Sequence, residues 1–183
     1  LGVDIPIGLP ERISGPGRPP EQAIRKLLGA RQSSVFSIPA RAAVYASDYG
    51  SACAAALERS EPPRKISKQS FLIFPKIREL DGLLTTANQH RVFEVHAALA
   101  FWRLNGEAPM PTPKRVKGVP AREGLAERIT LLSKWGVPET FFDDPRPRAL
   151  PLIDMVDAAA IALIARRCAA GTAEPFPNPP TED

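Results

Sequence analysis

Apolar residues recur at helical spacing over residues 150–171, and this pattern predicts a long helix near the end of the chain. Pro151 suits the first turn of that helix, and Gly171 suits a left-handed cap after its last turn. Arg166 and Arg167 would lie at the negative end of the helix dipole. The boundaries of this element are therefore well marked in the sequence.

Asp154 and Asp157 are the only acidic residues of this helix. Their spacing, continued by Ile161, Ile164 and Cys168, predicts that both carboxylates lie on the face that meets the core. Asp154 also suits the positive end of the dipole, which is a purely structural role. A carboxylate removed from water without a partner is costly, so we expect a cation, a metal or several hydrogen-bond donors beside Asp157.

Alternating apolar and polar residues predict two strands, 1–7 and 90–96. Asp4 lies on the polar face of the first strand, while Glu94 and His96 share a face of the second. A core strand rarely begins at residue 1, so we expect natural sequence upstream.

Helical periodicity fills much of the remainder, an extended segment is predicted at 33–39, and Pro-rich connectors lie between the elements. The helices are predicted at 21–31, 39–60, 67–87, 97–106 and 121–136. This order predicts an α/β fold with a helix-rich second half.

The length of 183 residues and an apolar content of 44% suit one soluble domain. We assign that domain to residues 1–171, incomplete at its N-terminal side, and residues 172–183 to a disordered Pro-rich tail. Cys53 and Cys168 are far apart and outside any CxxC pattern, which favours free thiols in a reducing compartment. The sequence contains no apolar run of about 20 residues, so we expect a cytoplasmic protein without a membrane span.

The charge balance, 24 Lys and Arg against 20 Asp and Glu, permits a polyanionic partner without requiring one. The densest basic cluster could contact the phosphates of a nucleic acid or could simply be a solvated loop. It consists of Lys114, Arg115, Lys117 and Arg122. Glu94 and the histidines on its strand could bind a metal ion, although such residues more often hydrogen-bond to neighbours or water.

Six segments, read together, resemble the family of predicted RNase H-like nucleases known as domain of unknown function 429. They are DIPIGLPE (4–11), SSVFSIPARAA (33–43), SKQSFLIFPKIRELD (67–81), RVFEVHAALAFWRLNG (91–106), KRVKGVPAR (114–122) and DMVDAAAIALIA (154–165). The resemblance extends over the chain to about Gly171. It departs at Ala97 and Ala98, where many relatives have Pro and Glu.

The resemblance implies an RNase H-like fold, with a mixed central sheet flanked by helices and a first strand upstream of this chain. In such folds, acidic side chains on the sheet and on a late helix bind divalent cations that hydrolyse a phosphodiester. It implies Asp4, Asp154 and Asp157 as ligands of Mg²⁺ or Mn²⁺, and Asp4, Asp157 and Glu94 as catalytic residues. Further motif residues without an assigned role are Lys76, Glu79, Arg91 and His96.

Three functions remain open from the sequence. The first is a metal-dependent nuclease or related phosphodiester hydrolase, with the basic cluster holding phosphate. The second is a catalytically inactive RNase H-like protein that binds nucleic acid or a protein partner. The third is a hydrolase of a nucleotide or a small phosphorylated molecule.

Overall fold

The computed structural model describes residues 1–143 and 150–180, and Asp144 of the connector before the last helix lies outside them. The described residues form seven α-helices and six two-residue strands, which confirms the α/β prediction. In chain order these are β1 (Gly2–Val3), β2 (Ile13–Ser14), α1 (Pro19–Leu28), α2 (Arg41–Val44), α3 (Tyr49–Glu58), β3 (Ser60–Glu61), α4 (Lys68–Leu83), β4 (Phe93–Glu94), α5 (Ala97–Leu104), β5 (Arg115–Val116), β6 (Val119–Pro120), α6 (Arg122–Lys134) and α7 (Leu152–Ala169).

The strands pair two by two, and the described residues form no single mixed sheet, in contrast to the sequence prediction. β1 pairs with β4 and β2 pairs with β3, both in parallel, while β5 and β6 form an antiparallel hairpin. The first predicted strand is shortened because Pro6 has no N–H to donate, and because the N–H of Ile7 donates to the carboxylate of Glu94 at 2.8 Å. A side chain thus takes the place of further ladder bonds.

Two other predicted elements differ from the structure. The helix predicted at 39–60 is two helices, since Asp48 begins α3 as its N-cap and accepts a hydrogen bond from the N–H of Ser51 at 3.0 Å. The segment predicted as extended at 33–39 begins inside a 3-10 helix, Gly29–Ser34, and is irregular afterwards. Both differences arise from local hydrogen bonding that the apolar pattern does not reveal.

Three apolar clusters form the core of the described residues. The largest lies between α5, α6 and α7, and it includes Phe101, Leu132 and Val156. A second joins α2, α3 and α4, and a third joins α1 to Trp102 of α5. No helix among the described residues is long and apolar enough to cross a membrane.

Residues 172–180 contain no helix or strand, and their prediction as a disordered tail stays a prediction. Part of this segment contacts the domain. The ring of Phe176 meets that of Trp102 edge to face, with 6.0 Å between centroids, and Glu174 pairs with Arg103 at 2.6 Å.

Candidate functional site

The close packing of β1 on α7 positions the candidate site. A Cβ atom at Gly2 would lie 2.8 Å from Cγ2 of Ile161 and 3.0 Å from Cβ of Ala165, so only glycine permits this approach. Asp4 is two residues further along the chain, and Asp157 is about one helical turn before Ile161. The strand and the helix therefore bring Asp4 and Asp157 to the same region, where the charge of Asp4 influences the pKa of Asp157.

Asp157 is largely buried, with 15% of its side chain exposed, and it forms an ion pair with Lys114. The ammonium of Lys114 donates to Oδ2, whereas the buried Oδ1 has no hydrogen-bond partner among the described residues. Burial raises the pKa of Asp157 above its ordinary value, the charge of Lys114 opposes that rise, and the nearby Asp4 carboxylate adds to it. The predicted cation beside Asp157 is therefore present, and the carboxylate remains only half satisfied.

Asp4 is exposed and directly follows β1. Its Oδ1 accepts a hydrogen bond from the backbone N–H of Ala97, at 3.3 Å, in the first turn of α5. A carboxylate at this position is stabilised by the helix dipole. Its remaining surface faces water, so Asp4 is accessible to a ligand.

Asp154 lies on the exposed face of α7, and the prediction that it points into the core with Asp157 is wrong. The exposed stripe of this helix runs at intervals of four residues through Asp154, Ala158, Ala162 and Arg166. Ile153, Val156 and Ala160 form the buried stripe instead, and Asp157 lies at its edge. The two carboxylates therefore have different environments.

Glu94 belongs to a second cluster, which the sequence did not predict. Its Oε1 accepts from Arg18 at 2.8 Å, and its Oε2 accepts from the N–H of Ile7. The guanidinium of Arg18 is fully buried and also contacts Glu21 at 2.5 Å and the backbone carbonyls of Ile7 and Gly8. A partial local signal was available, because Glu21 lies three residues after Arg18 with two prolines between them, and at this position of α1 its carboxylate accepts a hydrogen bond from the backbone N–H of Arg18 at 2.6 Å.

A cavity of about 250 Å³ adjoins both clusters and is lined by Asp4, Glu21, Glu94 and His96 among others. His96 is the N-cap of α5, where its Nδ1 accepts from the N–H of Ala98 at 3.2 Å. In residues 1–143 and 150–180, however, no three His, Cys, Asp or Glu side chains are placed to hold a metal ion. Any metal here would have fewer than three His, Cys, Asp or Glu ligands from the described residues.

Two carboxylates are compatible with magnesium, which keeps several waters and is usually bound through one or two protein carboxylates. The buried Oδ1 of Asp157, without a partner among the described residues, is an observation that suits such an ion. Asp4 supplies the second, accessible carboxylate. The residues present therefore fit one hydrated divalent cation.

The basic cluster lies beside the acidic pair. Lys114 contacts Asp157 and immediately precedes the hairpin of β5 and β6, on which Arg115 and Lys117 are exposed. The hairpin turns at Lys117 and Gly118, both with positive φ. Arg122 is also exposed, in the first turn of α6.

Arg128 is a further cation near Asp157, and no pattern in the sequence indicates it. It is 5% exposed, it donates to the backbone carbonyls of Gly124 and Thr112, and it lies over the ring of Phe101 at 5.3 Å. Burial lowers the pKa of Arg128, and the charge of Asp157 opposes that change. Arg128 thus links α6 to the connector at Thr112 and to the ring of Phe101 in α5.

The other motif residues do not join this site through described contacts. Lys76 and Glu79 are exposed on α4, and the side chain of Arg91 is exposed before β4. Their roles stay unassigned.

The chain matches a protein-family model. The model described as Protein of unknown function (DUF429) matches residues 1–182. No curated protein matches the chain, and no solved structure matches it either. Since the match covers nearly the whole chain, the protein belongs to the DUF429 family.

Proposed function

We propose that this DUF429 protein is a metal-dependent phosphodiester hydrolase of the RNase H-like type, in which Asp4 and Asp157 bind Mg²⁺ or Mn²⁺. The observation that carries the proposal is the half-satisfied carboxylate of Asp157, buried next to the charge of Asp4. Two carboxylates this close repel each other, and a divalent cation would remove that repulsion. An acid after a strand and an acid on a late helix also agree with the RNase H-like arrangement.

A bound divalent cation would supply a water of lowered pKa and would neutralise charge on a phosphate. The chain itself supplies the orientation of the two carboxylates. Gly2 fixes the distance of β1 from α7, and the N–H of Ala97 holds one oxygen of Asp4. Glu94 positions the segment after Asp4 by accepting from the N–H of Ile7, and because Arg18 occupies its other oxygen, we assign it no direct contact with substrate.

The basic hairpin supports a phosphate-containing substrate. Arg115 and Lys117 are exposed on it, and Lys114 joins the hairpin to the acidic pair. Cations at this place lower the cost of bringing a polyanion next to two carboxylates. We therefore propose a nucleic acid as the substrate, held by Lys114, Arg115, Lys117 and Arg122.

Calorimetric titration with Mn²⁺ tests the metal site, using wild type, Asp157→Asn and Asp154→Asn. Asp154 is the matched control, because it is an aspartate on the same helix, one turn earlier and exposed. We expect wild type and Asp154→Asn to bind equally, and Asp157→Asn to bind at least about tenfold more weakly, a difference of about 1.4 kcal/mol. Equal binding by all three proteins, or no binding by wild type, would contradict the proposal.

Cleavage is then assayed with Mn²⁺ on DNA, RNA and mononucleotides, with Asp157→Asn as the inactive control. A preference for mononucleotides would indicate the alternative activity on small phosphorylated molecules. The second candidate function is nucleic-acid binding without catalysis, and it is favoured by the ammonium of Lys114, which already neutralises part of the acidic pair. That candidate predicts binding that depends on Arg115 and Lys117 and no cleavage with any divalent metal.

A further inference from the structure

A second cavity, of about 480 Å³, lies between α1, β4, α5 and the last turns of α7. We call it the α5–α7 cavity. Glu94 and His96 line it on the side of the acidic pair, but Asp4 and Asp157 do not. The α5–α7 cavity therefore neighbours the smaller cavity and shares Pro20, Ile24, Glu94 and His96 with it, while α7 lines only the larger of the two.

The volume and lining of the α5–α7 cavity suit a small molecule. Cavities that bind small molecules measure about 300–1,000 Å³ and are lined mainly by apolar side chains with a few polar groups. Here the apolar wall includes Ile24 of α1, Leu99 of α5 and Ile164 of α7, together with Val95 and Phe176. An apolar body would gain free energy by leaving water for this space.

Some charged side chains of the cavity wall have an oppositely charged partner, and one does not. Glu94 pairs with Arg18 at 2.8 Å, and Arg103 pairs with Glu174 and also contacts Glu107. Arg167, in the last turn of α7, has no carboxylate partner within residues 1–143 and 150–180. Its guanidinium donates one hydrogen bond, of 3.3 Å, to the carbonyl of Thr172. One cation of the wall is thus available for an anion.

Residues 173–176 form the outer wall of the cavity. Two contacts hold this segment, the ion pair between Glu174 and Arg103 and the edge-to-face contact between Phe176 and Trp102. Phe176 adds its ring to the apolar lining, and the backbone after α7 brings Thr172 to Arg167. The segment therefore covers an apolar space while leaving Arg167 at its margin.

We propose that the α5–α7 cavity binds a small amphipathic carboxylate, with its apolar chain inside the cavity and its carboxylate on Arg167. The apolar wall accounts for the chain, and the guanidinium accounts for the charge, because Arg binds a carboxylate through two parallel hydrogen bonds. This site is independent of the proposed hydrolase activity, since neither of the proposed metal ligands lines it.

The probes are decanoate and decanol, which share an apolar chain and differ in charge. Both are titrated calorimetrically into the full chain as wild type, Arg167→Gln and Arg166→Gln. Arg166 is the matched control because it is the adjacent arginine, exposed and outside the cavity wall. We expect wild type and Arg166→Gln to bind decanoate at least about tenfold more tightly than decanol, and Arg167→Gln to lose this preference.

A cavity-filling variant provides the second test. Ile164 is partly buried and lines the cavity, so Ile164→Trp would occupy the space of the chain and abolish binding of both probes. Equal affinities for decanoate and decanol in wild type, or a preference for decanoate that survives in Arg167→Gln, would overturn the proposal. Absence of saturable binding by wild type would overturn it as well, whatever the outcome of the Mn²⁺ titration.

Discussion

Two neighbouring clusters of this protein each contain two carboxylates and one basic side chain. In the first, Arg18 lies between Glu21 and Glu94. In the second, Lys114 pairs with Asp157, and Asp4 lies close enough to influence the ionisation of Asp157. Arg128 is a further cation near Asp157 but donates its hydrogen bonds to backbone carbonyls, so the main difference between the two clusters is in the hydrogen bonding of their carboxylates.

In the first cluster every carboxylate oxygen accepts a hydrogen bond, and we call it the closed cluster. The guanidinium of Arg18 donates to both glutamates and to two backbone carbonyls, and Glu94 uses its second oxygen for the N–H of Ile7. Burial raises the pKa of Glu21, and the charge of Arg18 opposes that rise. Such a network fixes α1 to the segment after β1 and has little capacity left for a ligand.

In the second cluster the carboxylates are only partly hydrogen-bonded, and we call it the open cluster. One oxygen of Asp157 is buried without a partner in the described part of the chain, and Asp4 is exposed. A lysine ammonium is also a poorer match for a carboxylate than a guanidinium, because it offers no planar pair of donors. Incomplete hydrogen bonding, and not the number of carboxylates, therefore distinguishes the candidate site from a structural network.

Removal of Arg18 from the closed cluster should lower the free energy of unfolding more than any of the other substitutions below. Arg18→Gln leaves the carboxylate of Glu21 buried without its cation and removes the bonds to the carbonyls of Ile7 and Gly8. We expect the free energy of unfolding to fall by about 3–5 kcal/mol, as measured by urea denaturation.

The control for this change is Arg59→Gln. Arg59 pairs with Glu58 at 3.3 Å at the surface, where its side chain is 40% exposed, so the expected change is within about 0.5 kcal/mol. A loss for Arg18→Gln as small as that of the control would show that the network is not structural.

The second substitution changes the close contact of β1 with α7, which brings Asp4 near Asp157. Gly2→Ala places a Cβ 2.8 Å from Cγ2 of Ile161, so β1 must move away from α7 and take Asp4 with it. We expect a destabilisation of about 1–3 kcal/mol in urea denaturation, together with weaker binding of Mn²⁺.

Gly82→Ala is the matched control, because a Cβ at Gly82 of α4 has no atom within 4 Å. Replacing a helical glycine at an open position should stabilise the protein by about 0.5–1 kcal/mol. If Gly2→Ala left both stability and Mn²⁺ binding unchanged, the close approach of β1 to α7 would not be what positions Asp4.

Much of the fold was predictable where an element has both an apolar stripe and clear boundaries. The last helix, predicted at 150–171, is observed as Leu152–Ala169 because Pro151 precedes it and Gly171, at φ +67°, follows it. The strands were overpredicted, since side-chain acceptors such as Glu94 take backbone donors away from the ladder. Alternation in the sequence does not contain that information.

The site was predicted in part. The need of Asp157 for a cation followed from its place among apolar residues, and Lys114 was found in the predicted basic cluster, although no pattern linked the two. Asp154 is predicted on the wrong face because the spacing of Asp157, Ile161 and Ile164 is extended back to it. Its face continues instead through Ala158 and Ala162, and alanine is small enough to lie on either face, so the pattern does not reveal that stripe.

The smallest effect comes from removing the cation of the open cluster. Lys114→Met leaves Asp157 without its ion pair, and because the side chain of Lys114 is 31% exposed, the expected loss of stability at neutral pH is only about 1 kcal/mol. Lys117→Met, on the exposed tip of the same hairpin, is the control. Lys114→Met should also tighten the binding of Mn²⁺, since the ammonium of Lys114 no longer competes for the carboxylate of Asp157.

The pH dependence of this loss identifies its cause. The pKa of Asp157 is already raised by burial in the folded wild type, and without Lys114 it should rise further. A group with a raised folded pKa stabilises the fold below its unfolded pKa, and this contribution is lost as the pH rises through the folded pKa. The difference in the free energy of unfolding between Lys114→Met and wild type should therefore vanish near pH 3. It should reach its full size above the pKa that Asp157 has in the variant. Urea denaturation across that range measures it, and a loss that is constant with pH would mean that Lys114 stabilises the protein by packing and not through Asp157.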